Sequence, residues 1–335
     1  MNNRFKLLTG SLLVLILMAV VQCGDDKSTG GDDEATTLDN RIVYSTRYDG
    51  MFLVNSDGSG KKLLVDDDSC WAAVWSPNKT LVAFTRLISG SGYQIRAVDT
   101  ATLDVQYVAY GTYGYNPWSP DGNTLVYDNN NSVNIKSFGS LYSVSVLDNA
   151  FDAVFLNNDT LIMLHYHSGN TDSTFIYKIS TGGSGLTALA NTAGYRFRLP
   201  RLSPNRDIIA YVRIHDGNFD DSNQVWIMNT DGSNKIQLGE IDGFIREMSF
   251  SHDGSKLLLV PDNDDVTRVQ RLDIAAHTVT VLTDAYSEDG EWAVDYAPDQ
   301  SKLVLNLYDG GVAVMNDNNT GAVDTLDTLG FAPNW

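Results

Sequence analysis

A short phrase recurs along the chain: an aromatic or large apolar residue, then a tight turn, then a β-rich run. Its copies read WSPNK (75–79), WSPDG (118–122), FLNND (155–159), LSPNR (202–206), FSHDG (250–254) and YAPDQ (296–300). A truncated seventh copy, FAPNW, ends at Trp335, and from Trp75 to Trp335 the intervals are 37 to 48 residues. A β-rich repeat with a period near 40 residues is typical of propeller blades.

The turn residues explain how each repeat folds. Proline in Ser-Pro-Asp-Gly pre-sets φ for the second turn position, and Asp and Gly suit the positions after it. Asp-Gly hairpins between β-type runs follow several of these turns, as in QVWIMNTDGSNKIQL at 224–238. Each repeat therefore predicts four short antiparallel strands. One such blade cannot bury both faces alone, so the blades must stack in a ring.

The two ends of the repeat array predict how the ring closes. FAPNW aligns with the first strand of a blade, whereas RIVYST (41–46) aligns with a second strand. We therefore expect the C-terminal strand to pair with the N-terminal blade. The prediction is an all-β, seven-bladed propeller over residues 41–335, with about 42 residues per blade.

The WSPDG turns, combined with the Asp-Gly hairpins, resemble the TolB-like, WD-type propeller repeats of bacterial envelope proteins. The best matches are 118–127, 224–238 and 250–260, and FLNND in blade 4 departs most because it lacks Pro and Gly. The resemblance covers 41–335 and implies a propeller at the cell envelope. Propellers carry many unrelated functions, so the fold alone identifies no ligand.

The N-terminal residues have the layout of a secretory signal. Arg4 and Lys6 precede an apolar run from Leu7 to Val21. Cys23 follows, and then an acidic, Gly-rich stretch, an arrangement that resembles a bacterial lipoprotein. We expect a signal peptide over 1–22, a lipidated Cys23 and a flexible tether over 23–40. A released periplasmic protein and an uncleaved signal anchor are the alternatives; each places the protein outside the cytoplasm, at the bacterial cell envelope.

The charge of the chain restricts its partners. The formal net charge is −19, which argues against nucleic acid and against anionic membrane surfaces. Membrane contact is expected through the lipid anchor instead, and the propeller is expected to be a monomer. Cys70 is the only cysteine besides Cys23. We interpret it as a small apolar side chain in the core.

The loops that join blades, and those that join second to third strands, share one rim of a propeller. In this chain that rim is rich in Asp and Tyr. Converging carboxylates suit Ca²⁺, and tyrosine rings offer surfaces for a sugar or a peptide. The candidate ligand-binding residues are Tyr113, Tyr115, His215, Asp220, Asp221, Asp264, Tyr286, Glu288, Asp289 and Tyr308.

The predicted inner strands carry more charge than buried strands usually do. These residues are Asp152, Arg196, Arg198, Arg201, Arg246, Glu247, Glu291 and Asp295. Charges are rarely buried unless they are paired. Two interpretations stay open: ion pairs between neighbouring inner strands, or a polar channel that binds a small ligand or the terminus of a partner.

No catalytic motif stands out, and GxSxG is absent from the sequence. The favoured interpretation is a binding or scaffolding module for an envelope protein or a glycan. The alternative is a metal-dependent carbohydrate-active enzyme of the lyase type that uses the propeller channel. Its centre would lie near His165, His167 and His215, since two histidines at i, i+2 spacing can share a metal ion.

Overall fold

The computed structural model describes residues 40–46, 48–167, 170–216, 223–263, 266–284, 294–307, 311–317 and 323–334. The signal peptide, Cys23 and nearly all of the tether lie outside the described residues, so those expectations stay predictions. In the described part of the chain, no helix combines the length and apolar character needed to cross a membrane.

The described residues form short antiparallel strands that are grouped into seven sheets in sequence order. The strands of blades 1 to 3 are β1 (Arg41–Thr46), β2 (Gly50–Asn55), β3 (Lys62–Val65), β4 (Cys70–Trp75), β5 (Leu81–Ile88), β6 (Gly92–Asp99), β7 (Val105–Tyr110), β8 (Thr124–Asn129), β9 (Ser132–Ser137) and β10 (Val144–Asp148). Blade 1 comprises β1 to β3, blade 2 comprises β4 to β7, and blade 3 comprises β8 to β10.

Blades 4 to 7 follow with four strands each, and one more strand ends the chain. Their strands are β11 (Ala150–Asn157), β12 (Thr160–His167), β13 (Asn170–Ser180), β14 (Thr187–Ala190), β15 (Tyr195–Leu202), β16 (Ile208–His215), β17 (Asn223–Asn229), β18 (Ile236–Ile241), β19 (Phe244–Phe250), β20 (Lys256–Asn263), β21 (Val266–Asp273), β22 (Thr278–Asp284), β23 (Val294–Tyr296), β24 (Lys302–Leu307), β25 (Gly311–Asn316), β26 (Asp324–Asp327) and β27 (Gly330–Asn334). In each of these blades the first strand is innermost.

The ring closes as the sequence predicts. β27 is antiparallel to β1 and completes blade 1, with Ser45 opposite Phe331 and Val43 opposite Asn334. Pro333 is tolerated there because an innermost strand has one edge without a neighbour, where no amide donor is needed. Asn334 also links three blades: its Oδ1 accepts from the Trp75 amide at 3.1 Å, and its Nδ2 donates to Asp295 Oδ2 at 3.0 Å.

Blade 3 departs from the predicted four strands. Its innermost segment is reduced to two isolated bridges, Thr112 with Asp128 and Trp118 with Leu125, so its sheet has three continuous strands. Pro117 has no amide hydrogen to donate, although its carbonyl still accepts from the Val126 amide at 2.8 Å. The segment between the two bridges therefore does not form a continuous strand alongside β8.

The turn phrase, which reads Ser-Pro-Asp-Gly in blade 3, fixes the chain where the inner segment ends. In blade 3 the Ser119 hydroxyl donates to Asp121 Oδ1 at 2.6 Å, and the Asn123 amide donates to the same oxygen at 3.0 Å. Both bonds lower the pKa of Asp121, and the bond from Ser119 has the larger effect. Gly122 takes a positive φ of 70°, which glycine adopts without a steric penalty. Trp118, just before the turn, is buried between blades.

The hydrophobic core lies mainly between blades, in clusters that combine strands of adjacent sheets. Between blades 1 and 2, Val43 and Met51 pack with Trp75 and the free Cys70. Burial raises the pKa of the Cys70 thiol to about 12, so it stays protonated and packs as an apolar group. This agrees with the interpretation of Cys70 from the sequence.

Candidate functional site

All seven blades contribute to a central cavity of about 460 Å³. Its charged lining residues are Asp128, Asp152, Arg201, Arg246, Glu247 and Asp295. Its apolar lining residues are Ala72, Ala73, Val74, Leu199, Val294 and Pro333. Tyr113, Gly114, Tyr115 and Asn334 complete it. The cavity thus combines apolar walls with a few fixed charges, the usual composition of a small-molecule or side-chain pocket.

β-Bulges in the inner strands help to shape the cavity wall. Ala72, Asp152 and Leu199 take φ values of 50°, 49° and 49°, and the register of each inner strand shifts there. Each of the three stands three positions before the large apolar residue that starts the turn phrase. A bulge inserts an extra residue and re-aims the side chains around it. The same distortion in three blades therefore brings this position to the channel each time.

Arg201 is the centre of an ion-pair network across three blades. It is only 3% exposed, and its Nη2 lies 2.9 Å from Glu247 Oε1 while its Nη1 lies 3.3 Å from Asp152 Oδ1. Its Nε donates to the Met248 carbonyl at 3.0 Å. Burial alone would lower the pKa of Arg201, but Glu247 and Asp152 raise it above the ordinary value. The predicted pairing between neighbouring inner strands is confirmed at this position.

Tyr115 spans the channel from blade 3. Its ring centroid is 5.0 Å from the Arg201 guanidinium carbon, and its hydroxyl donates to Asp295 Oδ1 at 3.4 Å. Asp295 is 9% exposed and also accepts from the Tyr296 amide at 2.9 Å. Burial, followed by the charges of Asp295 and Glu247, raises the pKa of Tyr115 well above its ordinary value. Its hydroxyl therefore remains a donor at any physiological pH.

Tyr115 and Arg201 also form the floor of the central cavity. A second cavity of about 100 Å³ lies at the turn end of the channel, beside Ser203 and Pro204, and the same two side chains line it. They stand between the two spaces. A ligand that enters the larger cavity from the other end therefore meets a charged and aromatic floor.

A side pocket of about 340 Å³ adjoins the central cavity between blades 4 and 5, and Asp152 and Leu199 line both. Arg196 and Arg198 lie on its blade 5 side. Arg198 Nη1 donates to the Ile245 carbonyl at 3.2 Å. Burial lowers the pKa of Arg198 to about 10, which leaves it cationic at neutral pH.

Asp128 differs from the other charged groups of the cavity. It lies on β8, the second strand of blade 3, and its Oδ2 accepts from the Asp152 amide at 3.1 Å. Its Oδ1 is shielded from solvent and has no hydrogen-bond partner among the described residues. Burial raises the pKa of Asp128 to about 7, and the nearby charge of Asp152 adds to the shift. The protein thus holds a carboxyl group whose ionised form it disfavours.

The Asp128→Asn variant is expected to be more stable than the wild type, and the gain should grow from pH 5 to pH 8. The pKa of Asp128 is raised from 3.8 to about 7 in the folded state. The folded wild type therefore loses stability as pH rises through that range, because the buried carboxyl group must ionise. Asn cannot ionise, so it avoids a cost of up to about 4 kcal/mol at pH 8. Melting temperatures at the two pH values measure the gain, with the exposed Asp159→Asn as control. A shift that does not depend on pH would contradict the assignment.

The predicted rim residues divide into three groups. Tyr113 and Tyr115 line the central cavity, and the Tyr113 hydroxyl donates to the Ala72 carbonyl. His215 is exposed at the end of β16, where its ring meets Tyr195 edge-on at 5.2 Å, and it does not line the cavity. The other predicted residues lie outside the described residues: Asp220, Asp221, Asp264, Tyr286, Glu288, Asp289 and Tyr308.

Several residues of the cavity lining were not predicted, among them Asp128, Gly114 and Asn334. The sequence gives a weak indication of Asn334. It stands directly before Trp335, just as Arg201 stands before Leu202 and Asp295 before Tyr296. Asp128 lies as far after Trp118 as His165 lies after Phe155. A polar residue at the same position of two repeats is the one sequence feature that could have indicated Asp128. Gly114 has no such feature. A Cβ there would meet Asp152 Oδ1 at 2.6 Å, a contact that only the folded ring creates.

Two histidines of the enzyme alternative, His165 and His215, lie apart from the cavity lining. His165 on β12 is half-buried, its ring meets Tyr177 edge-on at 5.4 Å, and burial lowers its pKa. The His167 side chain is outside the described part of the structure. Among the described residues, no group of three or more His, Cys, Asp or Glu side chains has an arrangement that would hold a metal ion. Most of the acidic residues on which the Ca²⁺ prediction is based lie outside the described residues.

No protein-family model matches the sequence, and no curated protein is similar to it in sequence. Solved structures nevertheless share its fold. An oligogalacturonate lyase in complex with manganese superposes with a TM-score of 0.67 at 12% identity, over 84% of this chain and 88% of the lyase. An oligogalacturonate lyase from Vibrio parahaemolyticus gives 0.62 at 13% identity, over 82% and 90% of the two chains.

TolB from Acinetobacter baumannii superposes with a TM-score of 0.57 at 17% identity, over 88% of this chain and 66% of TolB. The chain is therefore similar in fold to TolB propellers, as the repeats predicted. Identities this low establish a common fold and leave function open. The WD-type repeat class and the lipid anchor stay predictions.

Proposed function

We propose that this protein is a non-catalytic binding module of the bacterial cell envelope, and that its central cavity holds part of a protein or glycan ligand. The observation that carries the proposal is the cavity itself, to which every blade of the ring contributes. Its charged groups are held in place by contacts within the protein. The site is therefore preformed, and ligand binding loses little free energy to the ordering of side chains.

The placement of Arg201 supports binding rather than structure alone. A buried ion network is weak evidence for stability, because desolvation offsets much of the attraction. Here Glu247 and Asp152 fix the guanidinium beside a cavity instead of inside a dry core. Such an arrangement provides oriented polar groups for a ligand within otherwise apolar walls.

The envelope location rests on the N-terminal sequence. Arg4, Lys6 and the apolar run to Val21 suit export, and Cys23 suits lipid attachment. On this proposal the acidic tether holds the propeller away from the membrane. The protein would act there as a monomer.

The enzyme alternative has a specific observation in its favour. The fold superposes on two oligogalacturonate lyases, one of them in complex with manganese. A metal-dependent carbohydrate-active enzyme would be expected to hold a transition metal tightly through His165, His167 or His215. Metal analysis of the purified full chain separates the two proposals: a stoichiometric metal that is lost in His165→Ala favours the enzyme.

Site-specific crosslinking in cells tests the binding proposal. A photoreactive benzoylphenylalanine at Tyr113 lies in the cavity wall, whereas the same group at Tyr142, which is 79% exposed, samples the outer surface. We expect a discrete adduct from position 113 and not from position 142. Adding Leu199→Trp, which narrows both the cavity and the side pocket, should remove it.

Two results would count against the proposal. The same adduct from position 142 would mean that capture is not specific to the cavity. An adduct from position 113 that persists in a folded Leu199→Trp variant would mean that the cavity does not hold the ligand. Circular dichroism of each variant verifies the fold.

A further inference from the structure

The charges that line the central cavity do not balance. Among the described lining residues, Asp128, Asp152, Glu247 and Asp295 are carboxylates, and Arg201 and Arg246 are guanidinium groups. The two cations are already engaged. Arg201 pairs with Glu247 and Asp152, and Arg246 Nη2 pairs with Asp262 Oδ2 at 2.5 Å.

Asp128 is the carboxylate that the described residues leave uncompensated. No cationic side chain among them lies within ion-pair distance of it, and its Oδ2 accepts one hydrogen bond, from the Asp152 amide. Its Oδ1 accepts none although it is shielded from solvent. An ionised carboxylate normally accepts several hydrogen bonds, so this group lacks donors. A buried polar atom without a partner calls for an explanation, and because Asp128 belongs to the cavity lining, a donor that arrives with a ligand is one that experiment can test.

The remainder of the cavity wall suits the stem that would carry such a donor. Ala73, Val74, Leu199, Val294 and Pro333 present apolar surface. A methylene stem gains about 0.8 kcal/mol for each CH₂ group that it buries. The rings of Tyr113 and Tyr115 add faces that attract a cation.

We infer that the cavity recognises a primary ammonium group on an apolar stem, with the Asp128 carboxylate as its counter-ion. The inference rests on the proposed function and specifies the ligand chemistry of the same site. A free alkylamine and a lysine side chain of a partner protein share this chemistry. Both donate three N–H groups and carry a methylene chain.

The pH dependence follows from the state of Asp128. The other charged or titratable groups that line the central cavity are Asp152 of blade 4, Arg201 of blade 5, Arg246 and Glu247 of blade 6, Asp295 of blade 7, and Tyr113 and Tyr115 of blade 3 itself. The adjoining side pocket adds Tyr166, Arg196 and Arg198. With a pKa of about 7, Asp128 is mostly protonated at pH 6 and mostly ionised at pH 8. Alkylammonium ions stay charged across this range, so binding should strengthen about tenfold from pH 6 to pH 8.

Calorimetry on the full chain tests the inference with three probes of equal length: hexylamine, hexanol and hexanoate. We expect hexylamine to bind at pH 8 at least about tenfold more tightly than either other probe, and to weaken about tenfold at pH 6. In Asp128→Asn the preference for the amine and its pH dependence should both disappear. The exposed Asp159→Asn should behave as the wild type does.

Three outcomes would overturn the inference: no binding of hexylamine, equal binding of hexanoate, or unchanged amine binding by Asp128→Asn. The melting temperature of that variant shows that it is folded. Crosslinking at Tyr113 does not depend on ligand charge. The proposed function would therefore still stand if the cavity did not bind amines. A short acetylated peptide with one lysine, compared with its acetyl-lysine form, identifies the source. Lysine-dependent binding supports a partner side chain, and hexylamine binding alone supports a free amine.

Discussion

The Arg201→Ala variant is expected to lose about 3–5 kcal/mol of unfolding free energy, among the largest effects of any single substitution in this propeller. The change removes the cation that compensates Glu247 and Asp152 in three adjacent blades. Both carboxylates would remain beside a half-buried tyrosine, without their partner. Leaving a buried charge uncompensated costs more than the ion pair itself contributes.

Denaturant unfolding of Arg201→Ala against Arg246→Ala provides a matched comparison. Arg246 is in the next inner strand and also forms an ion pair, but its side chain is 46% exposed. Exposed pairs contribute at most about 1 kcal/mol, so its loss should be minor. Arg201→Lys should rescue little, because an ammonium cannot reproduce the planar fork that reaches Glu247, Asp152 and the Met248 carbonyl together. Equal losses for the two alanine variants would refute the central role of Arg201.

The fold was predictable because each repeat encodes its own turns. Ser119, Asp121 and Gly122 form the contacts that Ser-Pro-Asp-Gly predicts, and the intervals between copies identify the blades. Ring closure was predictable from the half-blades at the two ends. The irregular inner segment of blade 3 was not, because Pro117 and Gly114 are unremarkable between strands until their place in the ladder is known.

The site was only partly predictable. Charges on the inner strands indicated either ion pairs or a polar channel that binds a ligand. The structure has the ion pair of Arg201 beside a cavity, and ligand binding there stays a prediction. His215 lies at an exposed strand end and does not line the cavity, and its role in ligand binding at the rim stays a prediction. The shape of the cavity depends on bulges at residues such as Ala72 and Leu199. Alanine and leucine do not favour a positive φ, so no local sequence signal reveals these bulges.

Removing residues 330–335 is expected to abolish the cooperative unfolding transition of the propeller. The deletion takes away β27, the partner of β1 along the channel, and with it the buried Phe331. The exposed edge of β1 would then offer unpaired backbone groups to other chains. Full-length and truncated chains should therefore differ in both thermal melting and size-exclusion profile, and the truncated chain should form oligomers or aggregate.

Asn334→Ala separates closure of the ring from the mere presence of the strand. It keeps β27 but removes the bonds to the Trp75 amide and to Asp295, a loss of about 1–3 kcal/mol. A graded series, with the truncation far more damaging than the substitution, is the expected result, because pairing with β1 joins the two chain ends whereas Asn334 only reinforces that junction. A truncated chain that remains monomeric and melts as the full chain does would show that the other six blades hold the ring without closure. The cavity of that truncated chain would lack part of its wall, since Pro333 and Asn334 belong to the lining.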